Sequence, residues 1–361
     1  MSTKLILVIG ATGAQGIAVI NALLAPSADG LPSPYTIRAL TRDPESRRSK
    51  ELAAKGVETV KGSFDNLTDV QNALQGVYGA WVNTDSFTVG EQKEIFLGMR
   101  IFELAKQVKT VRHWIWSGLD YVDKLSGYNP KYSAEHYNAK GRVSDWLKAQ
   151  PSIVSDDDMS WSVVTTGPYL DMLNSPVQGP ITRRADGTYV FAAPLGNGRA
   201  PYISLRDIGF FARYSFDNRA AVSGENLAIV TEMVGRKELV AAFTKVTGKK
   251  AVTVDLTVEE WFEFLTNVDA PVANERPHGD GSTTFRENFT RFWHLYRDEI
   301  IQRDVAWNRK VNPNGDTLES WMRDNNYTGD VLQLTPVLKN QEDGKGIGLN
   351  LERIAATLGK A

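Results

Sequence analysis

The stretch Lys4-Leu-Ile-Leu-Val-Ile-Gly10-Ala-Thr-Gly13-Ala-Gln-Gly16-Ile limits the folds open to this chain more than any other segment. An apolar run passes straight into three glycines, each three residues from the next, and a second apolar segment follows. The first run reads as a buried strand. After Ile17, residues Ile20, Leu23 and Leu24 share one face at helical spacing, so the second reads as a helix packed on that strand. A strand, a glycine turn and a helix in this order make an anion-binding crevice. Gly10 is expected to form the tight turn, Gly13 to let main-chain N–H groups approach a diphosphate, and Gly16 to bring helix and strand close. The helix N-terminus adds positive dipole character. The expected ligands of a dinucleotide are therefore Gly10, Ala11, Thr12, Gly13, Ala14, Gln15 and Gly16, with the diphosphate over Thr12 to Gln15. The spacing is GxxGxxG, not the GxGxxG of many dehydrogenases, and the flanking strand and helix carry the reading.

From Lys4 to Thr166, short β-branched runs alternate with longer helical patterns, the rhythm of parallel βαβ units. Strands are expected at Leu5–Ile9, Thr36–Leu40, Val57–Lys61, Gly79–Val82, Val111–Trp116 and Ser162–Thr165. These imply an α/β fold with a Rossmann-type doubly wound parallel sheet over residues 1–166. The segment Ala25–Pro34, rich in Pro, Gly and Ser, reads as a surface loop. A smaller α+β substrate-binding lobe is expected over 167–330, with some elements returning to the first domain. It should contain a hairpin at Asp186-Gly187 and helices at Leu205–Phe216, Arg236–Thr247, Val258–Leu265 and Thr284–Arg303. Residues 331–361 read as a tail in which Leu334–Gly348 is a loose connector to a short final helix.

Composition narrows the chemistry. Forty-one Lys plus Arg against 43 Asp plus Glu leave a net charge of −2, too little basic excess for direct nucleic-acid binding. With no cysteine, disulfides, thiolate metal sites and Cys nucleophiles are excluded, and the four histidines lie too far apart for local metal pairs. No metal site is expected. The apolar run at Leu5–Ile9 is far too short for a membrane span or signal core, so the cytoplasm is the expected compartment and no membrane the expected partner. There is no GxSxG elbow and no Walker lysine motif. The run Asp156-Asp-Asp158 reads as a solvated loop.

The end of the second strand selects between coenzymes, because NAD binders place a carboxylate there and NADP binders a cation. This chain reads Ile37-Arg-Ala-Leu-Thr-Arg42-Asp-Pro. The planar guanidinium of Arg42 can hold a 2′-phosphate bidentately, which points to NADP(H); the alternative is a solvated ion pair with Asp43.

With these residues placed, the chain resembles the NmrA-like family, a branch of the atypical short-chain dehydrogenases/reductases. The resemblance rests on the Gly10–Gly16 turn with Gln15, on Thr41-Arg42-Asp-Pro44, on Tyr78-Gly-Ala-Trp-Val-Asn-Thr84 and on Trp114-Ile-Trp-Ser-Gly-Leu119. It continues through His136-Tyr-Asn-Ala-Lys140-Gly141, Gly167-Pro-Tyr169-Leu170 and Asn312–Trp321, the last similar to redox-sensor-like members. The resemblance implies NADP(H) as cofactor, with its 2′-phosphate on Arg42 and its adenine beside Ser63 and Phe64. It further implies Thr84, Lys140, Tyr169 and Leu170 along the nicotinamide half. Ile203-Ser-Leu-Arg-Asp207-Ile-Gly209 is also similar to a segment of this superfamily, and its role is taken as structural.

Ordinary short-chain reductases carry a Tyr four residues before the Lys on one helix face, and that Tyr passes a proton to the substrate. Here the residue four before Lys140 is His136, while Tyr137 lies about 100° around the helix. Three readings follow. In the first, an NADPH-dependent reductase acts on a bulky or aromatic small molecule, with Lys140, His136 or a water held by them as proton donor. This would be comparable to isoflavone-reductase-like relatives. Ser117 would orient a substrate carbonyl, or else serve as a capping hydroxyl; His136 is otherwise a surface helical histidine. In the second, the coenzyme is bound and not turned over, and its occupancy is read by a regulatory partner protein. In the third, the bound nucleotide is a scaffold for a non-redox cyclisation or isomerisation in secondary metabolism. A monomer or a homodimer is compatible with all three. The aromatics Phe285, Phe289, Phe292 and Tyr296 form one helical stripe and are expected to pack, not to line a cofactor.

Overall fold

Most apolar runs of the first half become buried strands, while Glu58–Lys61, at the sheet edge, stays part-exposed. The computed structural model describes residues 3–27, 29–331, 337–345 and 347–360. Its elements begin with β1 (Lys4–Ile9), α1 (Ala14–Leu24), β2 (Tyr35–Thr41), α2 (Arg47–Ala53), β3 (Glu58–Lys61) and α3 (Leu67–Ala73). They continue with β4 (Gly79–Val82), α4 (Ser86–Val89), α5 (Glu91–Gln107), β5 (His113–Gly118), α6 (Glu135–Leu147), β6 (Ser160–Thr165) and β7 (Asn226–Ala228). The seven strands pair in the order β3-β2-β1-β4-β5-β6-β7, and every pairing is parallel. The order reverses between β1 and β4, the switch point at which α/β sheets bind ligands. Helix cover on both faces explains why β4, β5 and β6 read as continuous buried runs and not as alternating ones.

Two compact units emerge. The first comprises Met1–Tyr121, Glu135–Thr166 and Ile208–Ile229; the second comprises Val122–Ala134, Gly167–Asp207 and Val230–Ala361. Both units are discontinuous in sequence: Val122–Ala134 joins the second, and Ile208–Ile229 joins the first. Ile208–Ile229 returns because it carries the edge strand β7, whose Asn226 also accepts from Thr165 Oγ1 at 2.7 Å. Val122–Ala134 leaves because Lys131 and Tyr132 both donate to Asp298, at 2.5 and 2.9 Å.

In the first unit, Trp114 and Trp116 stack at 5.7 Å with Phe102 edge-on to Trp114, and Gly98 lets α5 and α6 approach closely. A Cβ on Gly98 would stand 2.8 Å from Val143 and 3.0 Å from Trp116. The Ala25–Pro34 loop contains no helix or strand among its described residues, and Asp156 to Asp158 are exposed.

In the second unit, Tyr189–Ala193 pairs antiparallel with Thr182–Arg183 and parallel with Ala251–Asp255. The hairpin turn sits at Asp186-Gly187, where Gly187 takes φ +87° and Asp186 accepts from Thr188 N. Helices occupy Arg236–Thr247 and Val258–Glu263, while the helix Leu205–Asp217 begins here and continues from Ile208 into the first unit. The helix expected to reach Arg303 stops at Arg297, because Glu299 adopts φ +48°; a new helix, capped by Asp304, covers Val305–Val311. Its aromatic stripe packs: Phe285 stacks on Phe289 at 4.0 Å, Phe292 meets Tyr296 edge-on, and Trp261 lies against Phe285, Phe289 and Trp293. Asp207 is buried and accepts from Thr231 Oγ1, Asn312 Nδ2 and the Asp316 amide. Burial raises its carboxyl above the usual range. Of the expected connector Leu334–Gly348, residues 334–336 and 346 lie outside the described residues; within the remainder, Lys339–Glu342 is helical, and Leu351–Leu358 is the final helix. No helix among the described residues is long and apolar enough to cross a membrane.

Candidate functional site

The turn after β1 is held by contacts that only glycine permits. Gly10 has φ +78°, and a Cβ there would lie 2.6 Å from the Asn83 carbonyl oxygen. Gly13 donates to Gly10 O at 3.0 Å and is the N-cap of α1, offering no side-chain cap to the first helical turn. A Cβ on Gly16 would stand 2.2 Å from Gly10 O and 2.7 Å from Ala11 Cα. The curled turn and the uncapped helix start fit a diphosphate, whose oxygens would take the main-chain donors. Ala11 is buried beneath it, with Thr12 and Ala14 part-exposed.

Beside this turn the loop after β2 is tied down by side-chain hydrogen bonds. Ser46 caps α2, Thr41 Oγ1 lies 3.1 Å from Ser49 Oγ, and Ser49 Oγ donates to Asp43 O at 2.7 Å. Arg42, in this loop, is exposed and makes no ion pair or hydrogen bond with the described residues, Asp43 included. Arg48 is buried and donates to Thr12 O at 3.0 Å, tying α2 to the glycine turn.

At the end of β3, Ser63 donates its hydroxyl to Asp65 and its amide to Asp69, and Asp65 pairs with Lys93 at 3.0 Å. Burial opposes charge on Asp65, but the bonds from Ser63 and Lys93 outweigh it and hold its carboxyl below the usual range. Phe64 packs on the core beside them.

The carboxyl ends of β4 and β5 carry a buried polar cluster. Lys140 Nζ, on α6, donates to Thr84 O (2.9 Å), Asn83 Oδ1 (3.1 Å) and Ser117 O (3.3 Å), and pairs with Glu94 Oε1 at 3.2 Å. It lies 5.0 Å from the centre of the Trp116 ring. Thr84 Oγ1 donates to the same Glu94 oxygen at 2.5 Å. Glu94 is wholly buried, and its Oε2 has no hydrogen-bond partner among the described residues. Ser117 Oγ donates to Gln15 Oε1 at 2.6 Å, linking the glycine turn to β5. His136, one turn before Lys140, is buried with its ring 4.9 Å from Phe87 and 4.8 Å from Tyr137. Tyr137 is itself core.

Gly10 to Gly16, Thr84, Ser117 and Lys140 are thus brought into one cluster within the first unit. Tyr169 and Leu170 belong to the second, where Tyr169 bridges Ile203 and Leu170 opens a buried 3-10 turn, Leu170–Asn174. Two site residues were not singled out from the sequence. Glu94 sits in register with Leu97, Gly98 and Ile101, so a charge in the apolar stripe of α5 was its signal. Arg48 likewise shares the buried face of α2 with Leu52.

Residues 2–279 match the model of the NmrA-like family. Among curated relatives, the NmrA-like family domain-containing oxidoreductase FrzB of Cladobotryum sp is 31% identical over 270 residues, covering 69% of this chain and 75% of that protein. The corresponding oxidoreductase malD of Malbranchea aurantiaca is 27% identical over 276 residues, 72% of this chain and 77% of its own. Among solved structures, NmrA, a negative transcriptional regulator, in complex with NADP, aligns with TM-score 0.69 at 20% identity over 96% of this chain and 98% of its own. The Citrobacter sp. triphenylmethane reductase complexed with NADP(H) aligns with TM-score 0.65 at 16% identity over 90% and 99%. The sequence match over most of the chain, together with a doubly wound sheet of this order, makes the protein a member of the NmrA-like family.

Proposed function

We propose that this protein binds NADP(H) and uses it as a reductase of a bulky or aromatic small molecule. The observation that carries the reading is the bonded path from Gln15 of the glycine turn through Ser117 to the buried Lys140 ammonium, at the carboxyl ends of the strands beside the switch point of the sheet. The oxidoreductase names of the curated relatives support it. The diphosphate rests on Gly10–Gly16, the 2′-phosphate on Arg42 with Arg48 bracing the turn, the adenine against Ser63 and Phe64, and the nicotinamide half along Thr84 and Lys140. Tyr169 and Leu170 are assigned to that half as the family resemblance implies.

NADPH, when bound, supplies the hydride. This chain must supply the accompanying proton. Lys140 already faces four protein acceptors, more than its three N–H groups can satisfy, so it serves as a fixed cation. His136, one helical turn before Lys140 on α6, is assigned the proton donor. Ser117 positions Gln15. Replacing His136 by Asn is expected to lower turnover by about 10²-fold or more, the usual contribution of general acid catalysis, with NADPH affinity unchanged. Loss of reduced-nicotinamide absorbance against a panel of aromatic ketones, imines and quinones is the readout; equal turnover by the variant would remove His136 from this role.

Arg42→Glu is expected to weaken NADPH binding by about 30-fold, equivalent to ~2 kcal/mol for one charge-assisted hydrogen bond, and to leave NADH binding unaltered. Calorimetric titration with both nucleotides checks it, and equal losses for the two would show that Arg42 does not face the 2′-phosphate.

The saturated Lys140 and the missing tyrosine also favour a second reading, a regulator that binds the coenzyme without oxidising it. Such a protein would bind NADPH yet consume none with any acceptor, and a partner protein would bind one nucleotide state more tightly than the other.

A further inference from the structure

Glu94 has no part in the catalytic assignment above, yet it is the most deeply buried charge of the site. Its Oε1 takes both the Thr84 hydroxyl and the Lys140 ammonium, and its Oε2 meets no donor among the described residues. A glutamine amide oxygen could accept the same two bonds, so the hydrogen bonding alone does not call for a carboxylate. Leaving an ionised oxygen bare in a buried place is costly. What a carboxylate adds is a negative charge 3.2 Å from Nζ, where water does not screen it.

Oxidised and reduced coenzymes differ chiefly in the unit positive charge on the pyridine ring. The ratio of their affinities therefore reports the local electrostatic potential, whatever the strength of the shared diphosphate and adenine contacts. A lone Lys140 ammonium beside the ring would repel the oxidised form and leave the reduced form untouched. We propose that Glu94 is a specificity-determining residue that cancels the Lys140 charge and so sets the relative affinity for NADP+ and NADPH. The inference rests on the placement of the nicotinamide half beside Thr84 and Lys140 in the reading above.

The test is a charge cycle on the full chain, with dissociation constants for NADP+, NADPH and 2′,5′-ADP measured by calorimetry. Glu94→Gln exposes the ammonium and should shift the NADPH preference up by about tenfold, a modest share of the Coulomb energy between unit charges at close range. Lys140→Met leaves the carboxylate alone and should shift the ratio the opposite way. The double variant carries neither charge and should return the ratio to within about twofold of the starting protein, as pairwise cancellation requires. Being free of a buried unpaired charge, it also remains informative where a single variant fails to fold. A merely structural pair would change both coenzyme affinities together and leave their ratio fixed. Unchanged ratios, shifts of one sign in both single variants, or a double variant displaced by tenfold would each overturn the proposal. The adenine-half probe separates the two levels: 2′,5′-ADP binding with a fixed ratio defeats only the role of Glu94, whereas no binding of 2′,5′-ADP or either coenzyme defeats the NADP(H) reading beneath it.

Discussion

Replacing Gly16 by valine is expected to abolish measurable NADPH binding, a loss of at least about 10²-fold, while the far-ultraviolet signature of the helices and sheet persists. The reason is geometric. A Cβ at position 16 would stand 2.2 Å from Gly10 O, 2.7 Å from Ala11 Cα and 2.8 Å from Ala11 O, all of them backbone atoms of the turn itself. No side chain can swing aside, so α1 must lift from the turn and its N–H groups must leave the positions where a diphosphate would meet them. Displacements near 1 Å are enough to cost about 10²-fold where geometry is matched to a ligand. Overpacking should also lower stability by about 1–3 kcal/mol. Gly13→Ala is the contrast for stability, because its Cβ would lie 3.2 Å from Gly10 O at an ordinary φ of −74°, and the N-cap change costs only about a kcal/mol or less. NADPH titration beside a urea melt distinguishes them; a Gly16→Val protein that binds NADPH normally would show that the turn is a structural corner and not a diphosphate seat.

This glycine is also where the sequence is most legible. Its signal is local: the strand, the three glycines and the helix are contiguous, and each requirement acts within a few residues. The strands through Ser160–Thr165 are legible for the same reason: burial on both faces turns β4, β5 and β6 into continuous apolar and aromatic runs, and even the part-exposed edge strand β3 keeps Thr59 and Val60. Only their ends move, as where β5 begins at His113 after Lys109 takes φ +58°. By contrast β7 is three residues, Asn226-Leu-Ala228, and becomes a strand because β6 offers it an edge. Nothing in three residues announces that. The same holds for the exchange of Val122–Ala134, which depends on Asp298, far along the chain. In the candidate site, Lys140 stands out through its relation to His136, but its surroundings do not. Thr84, Asn83 and Ser117 come from the ends of neighbouring strands, and Glu94 from α5, where it is the one charged residue among those on the buried face. The positions proposed for the coenzyme are written in short motifs; the buried charge beside them is written in tertiary contact.

Acidification is expected to destabilise the first unit through His113, a histidine outside the candidate site. His113 opens β5, is wholly buried, and has Nε2 2.7 Å from Ser162 Oγ. The Ser162 hydroxyl donates to Val222 O at 2.7 Å, so its oxygen accepts from His113 and the imidazole proton sits on Nε2. Nδ1 is then a bare acceptor with no partner. Protonating it would place a second N–H, and a charge, in the core. Burial, with a smaller contribution from the Arg219 charge, pushes the imidazole down to about 3. An unfolded chain carries this group at its ordinary value near 6.5. Above that pH neither state binds the proton and the contribution is complete. As pH falls below about 6.5 the unfolded chain gains a proton that the folded one refuses, and stability drops by about 1.4 kcal/mol per unit until both are protonated near pH 3. The fall between pH 7 and pH 5 should be about 2 kcal/mol, and the whole range about 5, a large part of the 5–15 kcal/mol typical of a folded domain. Urea unfolding at several pH values in the wild type and in His113→Phe isolates this term, because the carboxylates contribute their own slopes to both proteins. The variant loses the hydrogen bond to Ser162 and starts from a lower stability, but its curve between pH 7 and pH 5 should be flatter by about 1 kcal/mol per unit or more. Parallel curves would mean that His113 takes up a proton in the folded protein, and that Nδ1 is not the bare, enclosed atom on which the argument depends.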